Sequence, residues 1–258
     1  MSTVIFKSLL KTADIGFHNL RRAAGQFLWP AVCAVCSLPV EEDSGNLCRS
    51  CWQSLSGAVG HDYCRRCGRQ VSRYGIVQDR CGGCLEENLA YDGLCRVGFY
   101  DGTLKHMLAA LKFQDKVELM DYIGPVFEQA FFAAGLDGKV QMLVPVPLHW
   151  RRRFQRGFNQ SYLLAKYLKN KSIQISEDLV RIRYTPHQWQ MENDSQKRRN
   201  VRDAFTVREG HPFAGRAVCL VDDITTSGAT LAECARTLKQ AGAVAVYAAV
   251  VAVAEKID

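Results

Sequence analysis

Residues 218–230, Val-Cys-Leu-Val-Asp-Asp-Ile-Thr-Thr-Ser-Gly-Ala-Thr, limit what this chain can fold into more than any other stretch. The four apolar residues Val218 to Val221 read as a strand covered on both faces, the pattern of a parallel sheet. Asp222 and Asp223 stand where that strand ends, and an apolar-periodic helix is predicted from about Thr230 to Ala241. A strand, a small-residue turn and a helix N-terminus together form an anion site, because free N–H groups and the positive end of the helix dipole converge there. Gly228, followed by Ala229, lets the backbone approach an anion closely, while Thr225, Thr226, Ser227 and Thr230 add hydroxyl donors. The paired carboxylates suit vicinal hydroxyls, directly or through Mg²⁺, which prefers oxygen ligands and keeps several waters. A phosphate beside a diol describes a ribose 5-phosphate. Asp also caps ordinary turns, but two carboxylates beside four hydroxyl residues exceed what a cap needs. No Gly-Lys-[Ser/Thr] is present, so this is not a Walker loop.

Four Cys-x-x-Cys pairs dominate the amino-terminal third: Cys33/Cys36, Cys48/Cys51, Cys64/Cys67 and Cys81/Cys84. A two-residue gap lets one turn present both sulfurs to a single ion, and Zn²⁺ takes four tetrahedral thiolates. Eight ligands therefore predict two structural zinc ions. Sequential pairing, first pair with second and third with fourth, gives a double zinc ribbon and is the preferred reading. A cross-braced arrangement fits the same spacing. Gly68, Gly82 and Gly83 are expected where knuckle turns need permissive backbone. About sixty residues with few large apolar side chains would otherwise lack a core, so metal binding and folding should be coupled. Cys95, Cys219 and Cys234 sit in apolar or helical surroundings and read as small core residues.

The rest of the chain alternates strand and helix signals. Strands are expected near Leu94–Tyr100, Met142–Val146, Leu179–Arg183 and Ala243–Ala254, with helices near Leu104–Lys112, Met120–Ala134 and Ser161–Lys169. This implies an α/β domain with a parallel sheet and ligands beyond the carboxyl ends of its strands. The organisation expected is a helical segment over 1–30, the zinc region over 31–90 and the α/β domain over 91–258. Residues 1–29 carry Lys7, Lys11, Asp14, His18, Arg21 and Arg22, so no signal peptide is read there. The longest apolar run, Ala243 to Ala254, is too short to span a bilayer. The expected location is the cytoplasm, where reduced thiols favour metal over disulfides.

Formal charge is +7, yet residues 151–202 alone hold nine Arg and four Lys against four acids. Such a stretch points to phosphate-rich partners, pyrophosphate or nucleic acid. Pro145-Val146-Pro147-Leu148-His149 ends a strand and leads into Arg151, Arg152, Arg153 and Arg156-Gly-Phe-Asn-Gln160. Two prolines fix the loop, and guanidinium groups match phosphate oxygens. Arg156 is the candidate to stabilise departing pyrophosphate. A second basic cluster is Lys197-Arg198-Arg199, preceded by the polar stretch Glu192–Gln196, which reads as a mobile connection. His149, His106 and His187 have the chemistry of an acid or base, though a lone surface histidine is more often neither.

These residues together resemble the ComF/GntX family, bacterial proteins that join an amino-terminal zinc module to a type I phosphoribosyltransferase-like domain. The resemblance spans roughly residues 30–254 and rests on the four cysteine pairs, Leu111-Lys112-Phe113, Pro145–His149, Arg156–Gln160, Thr185/Gln188, Arg198–Phe205 and Asp222–Thr230. It implies that Asp222 and Asp223 hold the ribose hydroxyls of 5-phosphoribosyl-1-pyrophosphate (PRPP), with Mg²⁺. Thr225–Thr230 would then hold its 5′-phosphate, and Pro145–His149 would form the pyrophosphate loop. Where an Arg is usual three residues before Asn200, this chain has Lys197. The family is linked to natural transformation, which implies single-stranded DNA and the DNA-uptake machinery as partners. Three functions follow for test: a PRPP-binding protein of DNA uptake, a metabolic phosphoribosyltransferase with an unknown nitrogenous acceptor, and a zinc-ribbon interaction module on a catalytically silent body.

Overall fold

The structure, a computed structural model, describes residues 32–40, 45–59, 62–77, 80–86, 89–169, 172–186 and 190–254. The helical segment expected over 1–30 and the residues His187 and Gln188 lie outside these. The chain divides into two compact units between Gln53 and Ser54.

The first unit holds a knuckle in which Cys33 N–H donates to Leu38 O at 2.7 Å and Ser37 N–H to Cys33 O at 2.9 Å. Helix α1 (Arg49–Ser56) starts just after Cys48 and carries Cys51. The second unit opens with the same knuckle: Cys64 N–H donates to Arg69 O at 2.9 Å and Gly68 N–H to Cys64 O at 2.8 Å. Each turn needs a left-handed residue after its second cysteine, Ser37 at φ +61 in one and Gly68 at φ +82 in the other. Gly68 meets that expectation. Gly82 and Gly83 do not, because they sit in the short helix α2 (Gly82–Glu86) with ordinary φ. A two-residue hairpin, β1 (Ile76–Val77) with β2 (Arg80–Cys81), returns the chain to Cys81.

A five-stranded parallel sheet forms the body. Its strands are β3 (Gly93–Phe99), β4 (Met142–Pro145), β5 (Gln174–Ile175), β8 (Ala217–Thr225) and β9 (Ala245–Val253), in the order β3-β9-β8-β4-β5. Val218 to Val221 and Val246 are wholly buried, as the unbroken apolar runs require of a sheet covered on both faces. On one face lies helix α8 (Ala229–Gln240), whose Leu231, Cys234, Ala235 and Leu238 recur at helical spacing and join the same core as Leu220, Val246 and Val250. The other face is packed by α4 (Met120–Ala133) and α6 (Gln160–Leu168). These approach closely because Gly124 has no Cβ, which would lie 2.3 Å from the Tyr167 ring. Each large side chain so buried contributes about 1.5–3 kcal/mol. Cys95, Cys219 and Cys234 are fully buried core residues, and burial pushes each thiol upward.

Three elements depart from the sequence reading. Leu179–Arg183 does not join the parallel sheet; β6 (Leu179–Arg181) pairs antiparallel with β7 (Phe205–Val207). The arginine run forms helix α5 (Trp150–Arg156), and the polar stretch read as a mobile connection leads into helix α7 (Asp194–Val201). Neither helix has an apolar face to announce it. Caps define them instead: His149 Nδ1 accepts from Arg151 N–H at 3.3 Å, and Asn193 Oδ1 accepts from Gln196 N–H at 2.9 Å. Gly157, at φ +72, closes α5 by donating to Arg153 O at 2.9 Å. One further helix, α3 (Gly102–Phe113), follows β3.

Candidate functional site

After β4 the chain moves outward to β5, then crosses back so that β8 pairs with the other side of β4, with Pro145 opposite Val221. The loops leaving β4 and β8 therefore diverge, one to α5 and one to α8. Such a reversal of strand order opens a crevice at the carboxyl ends of the strands. Here it is a cleft of about 290 Å³ lined by Val146, Pro147, Leu148, Arg152, Arg156, Lys112 and every residue from Asp222 to Thr230. The strand runs past the carboxylates to Thr225, whose carbonyl accepts from Ala254 N–H at 2.8 Å. Gly228, at φ +72, turns the chain into α8, and Ser227 Oγ accepts from Ala229 N–H at 3.4 Å. The loop thus places a twelve-residue helix N-terminus against the cleft.

The two carboxylates have different neighbours. Asp223, 6% exposed, forms an ion pair with Lys112 Nζ at 3.0 Å. Asp222 accepts from Ser161 Oγ at 3.0 Å and from Asp223 N–H at 2.9 Å. Loss of water and, after it, the charge of Asp223 raise the Asp222 carboxyl to about 7 against the opposing pull of Lys112, the Asp223 N–H and Ser161. The paired oxygens suit a hydrated Mg²⁺ or a diol, since each carboxylate offers acceptors only. Arg156 is lowered from its ordinary value by burial, with Asp223 acting against this, and it stays cationic. Asn159 locks the opposite wall: its Nδ2 donates to Val146 O at 3.2 Å while its Oδ1 caps α6 through Ser161 N–H at 3.1 Å.

The cysteines gather into two groups, Cys33, Cys36, Cys48, Cys51 and Cys64, Cys67, Cys81, Cys84, with the sulfurs of each within 4.8 Å of one another. This is the sequential pairing. Sulfur–sulfur distances of 3.5 Å for Cys36–Cys48, 3.7 Å for Cys64–Cys84 and 3.6 Å for Cys67–Cys81 lie close to the tetrahedral edge of about 3.8 Å that zinc–thiolate bonds impose. The four-sulfur donor set fits zinc in each group. The Ser50 hydroxyl is the largest influence holding Cys48 down at about 6, while burial pushes Cys84 up to about 12. Zinc binding must displace such protons.

Residues 24–85 match the double zinc ribbon domain family. The DNA utilization protein YhgH of Escherichia coli strain K12 is 30% identical over 222 residues, covering 84% of this chain and 94% of that protein. The chain belongs to the ComF/GntX family. It is also similar to competence protein F of Haemophilus influenzae, 26% identical over 220 residues (81% of this chain, 91% of the other). Competence protein ComFC of Bacillus subtilis strain 168 is 27% identical over 239 residues, covering 85% of this chain and 93% of that one.

In this ComF/GntX chain the cleft gathers some of the expected residues and leaves others outside. Arg152 lines it and donates to Thr185 O at 2.6 Å. Pro145 and Arg153 line an adjoining groove that shares Pro147, Leu148 and Arg181 with the cleft, and there Arg153 faces Glu177 at 3.6 Å. His149 is buried as the α5 cap, and burial first, then Arg151, Arg181 and Arg152, lower its basicity. His106 Nδ1 lies 2.8 Å from Gly102 O on the exposed side of α3. Arg151, Arg198 and Arg199 are exposed away from the cleft, and Lys197 pairs with Asp194 at 3.8 Å. Lys112, Ser161, Gln160 and Arg181 line the cleft without having been read as site residues. Lys112 lies in the Leu-Lys-Phe signature, and Ser161 follows a Gly-Phe-Asn-Gln cap signal, so both had a trace in the sequence. Arg181 had none, because it sits in the middle of the strand read over Leu179–Arg183. Among the described residues no helix is long and apolar enough to cross a membrane.

Proposed function

We propose that this chain is a PRPP-binding protein of DNA uptake that acts in the cytoplasm, binding PRPP with Mg²⁺ in the β4/β8 cleft and handling single-stranded DNA. The observation that carries the ligand is the convergence of two acidic and four cationic side chains, Asp222, Asp223, Lys112, Arg152, Arg156 and Arg181, with the Thr225–Thr230 helix-entry loop at one switch point. PRPP presents that same set of groups: a 5′-phosphate for the loop, a diol for the carboxylates and a pyrophosphate for the guanidiniums. The names of the relatives, DNA utilization protein and competence protein, support the biological setting.

Asp222 and Asp223 would hold Mg²⁺, whose contribution when bound is to neutralise phosphate charge and orient the sugar. Ser161 and Lys112 fix the two carboxylates before the ligand arrives. Arg156 and Arg152 stand on the Pro147 side, where charge would develop on a departing pyrophosphate. Turnover, with transfer of phosphoribose to a nitrogenous acceptor, is a second reading. It is supported by Phe113, 71% exposed at the cleft wall, which offers a flat face to a planar base.

Calorimetry with PRPP and Mg²⁺ tests the pocket. Wild type should bind, and Asp222→Asn with Asp223→Asn should lose binding while keeping its far-ultraviolet circular dichroism and zinc content. A wild type that does not bind would sink the reading, and an unfolded double variant would make the pair structural. Deleting the gene should lower transformation and leave growth on minimal medium intact; a purine or pyrimidine auxotrophy would favour metabolism.

A further inference from the structure

Helix α5 (Trp150–Arg156) buries none of its seven residues, although two are large aromatics. Trp150 is 65% exposed and Phe154 88%, four positions apart and so on one helix face. Tyr184, 47% exposed, is linked to Trp150 through the His149 ring, whose centroid lies 5.2 Å from that of Tyr184 and 5.6 Å from that of Trp150. Large aromatics are rarely left this open, and a contiguous set marks an interaction surface. The charge on the same ridge is of one sign. The Arg151 guanidinium lies 5.3 Å from the Trp150 centroid and 5.6 Å from that of Tyr184, and Arg152 lies 5.4 Å from Tyr184. Arg183 continues the basic track toward α7, donating to Asn200 O at 3.1 Å, and Asn200 in turn donates to Pro186 O at 3.1 Å. The facing acids are few among the described residues: Glu177 lies near Arg153, and Asp194 pairs with Lys197.

Exposed rings interleaved with arginines select a polyanion with accessible flat faces. Duplex DNA hides its bases in the stack, whereas a single strand offers a face for every phosphate it carries. We infer that the ridge of Trp150, Phe154 and Tyr184 with Arg151, Arg153 and Arg183 binds single-stranded nucleic acid without sequence preference, its bases stacking on the rings and its phosphates meeting the arginines. This rests on the DNA role proposed above and adds to it a binding mode and a surface that borders the sugar-phosphate cleft at Arg152. The side chains on which it depends are exposed, so removing them leaves the core intact.

Fluorescence anisotropy of a labelled oligo-dT with the zinc-loaded full chain tests it. Trp150→Ala with Phe154→Ala should weaken binding by at least roughly tenfold, the loss expected for one or two stacked bases. Calorimetric PRPP binding by the same variant should match wild type. Arg151→Ala with Arg153→Ala should flatten the dependence of log K on log salt by about 1.4, or about 0.7 for each phosphate that is no longer neutralised. If wild type binds oligo-dT and the aromatic variant binds equally well, the ridge assignment is overturned while the DNA role stands. If wild type binds no oligo-dT, the DNA role itself fails. Equal binding of single strand and duplex would overturn stacking as the mode.

Discussion

Lys112→Met removes a charge and keeps most of the volume, so it isolates the electrostatics of the cleft. The pair it breaks is short and mostly buried: Lys112 Nζ lies 3.0 Å from Asp223 Oδ1, and the two side chains are 20% and 8% exposed. At an effective dielectric of about 20 the gross attraction is roughly 5–6 kcal/mol. Desolvation of the ammonium and ordering of its long side chain offset much of this, leaving a net loss of about 2–3 kcal/mol at pH 8. The loss should depend on pH in a definite direction. Asp222 has its folded-state value raised to about 7, and Lys112 is one of the groups holding it down. A carboxyl raised on folding binds its proton more tightly in the native state, so stability is fully present below about pH 4 and falls as pH rises through about 7. Without Lys112 that rise is larger, and each further unit adds about 1.4 kcal/mol to the cost of ionising the pair. Urea denaturation followed by circular dichroism should give a deficit of about 2–3 kcal/mol at pH 8 that shrinks by about 1 kcal/mol at pH 5. An equal deficit at both pH values would mean that Lys112 does not hold the Asp222 carboxyl down, and that part of the electrostatic argument would be refuted.

Zinc should be present at two ions per chain, falling to one in either Cys36→Ser or Cys67→Ser, as read by atomic absorption on purified protein. Cys67→Ser should in addition associate at micromolar concentration in size-exclusion chromatography, because the knuckle it disrupts packs on β3. Ser37→Gly should raise the stability of the first knuckle by about 1 kcal/mol, since the left-handed turn that Ser37 occupies at φ +61 penalises a Cβ; slower loss of zinc to a chelator is the measurement, and unchanged kinetics would count against strain at that residue.

How much was legible follows from what each element uses for stability. Strands β8 and β9 are unbroken apolar runs because both of their faces are covered, and such runs can be read without neighbours. Helix α8 displays its core stripe, and the cysteine spacing dictates tetrahedral groups whatever surrounds them. Helices α5 and α7 bury almost nothing, so periodicity is silent there and only the His149 and Asn193 caps mark their starts. Histidine is an uncommon cap, which hid α5 inside what looked like a basic loop. The acidic pair, the hydroxyl loop and the proline loop could be placed together because each ends or follows a recognisable strand. Lys112 could not, because an ion pair between α3 and β8 is set by how that helix crosses the sheet. The arginine run was legible as charge alone, and only the structure separates Arg152 and Arg156, in the cleft, from Arg151 and Arg153, outside it.

The second zinc group has a physical task that the word ribbon does not convey. An edge strand exposes unpaired backbone groups and invites other chains to pair with it. The sheet has two edges, and β5 is only two residues long, but β3 has seven residues and is buried along nearly all of its length. Its cover is the knuckle. Leu94 N–H donates to Arg65 O at 2.7 Å, and a Cβ on Gly68 would lie 2.7 Å from Leu94 Cδ2. The Arg96 guanidinium is held between Tyr63 and Phe99, 4.9 Å and 3.8 Å from their ring centroids. Tyr63 and Arg65 flank Cys64, so their positions depend on a turn that closes around metal. When zinc leaves, the knuckle has little apolar core of its own to keep its shape, and β3 is left as a long bare edge. Strand β3 also feeds α3, which delivers Lys112 to Asp223. A disturbance at the second zinc group therefore has a covalent route to the cleft only a strand and a helix long, so the PRPP binding proposed for that cleft should weaken when this group loses its zinc.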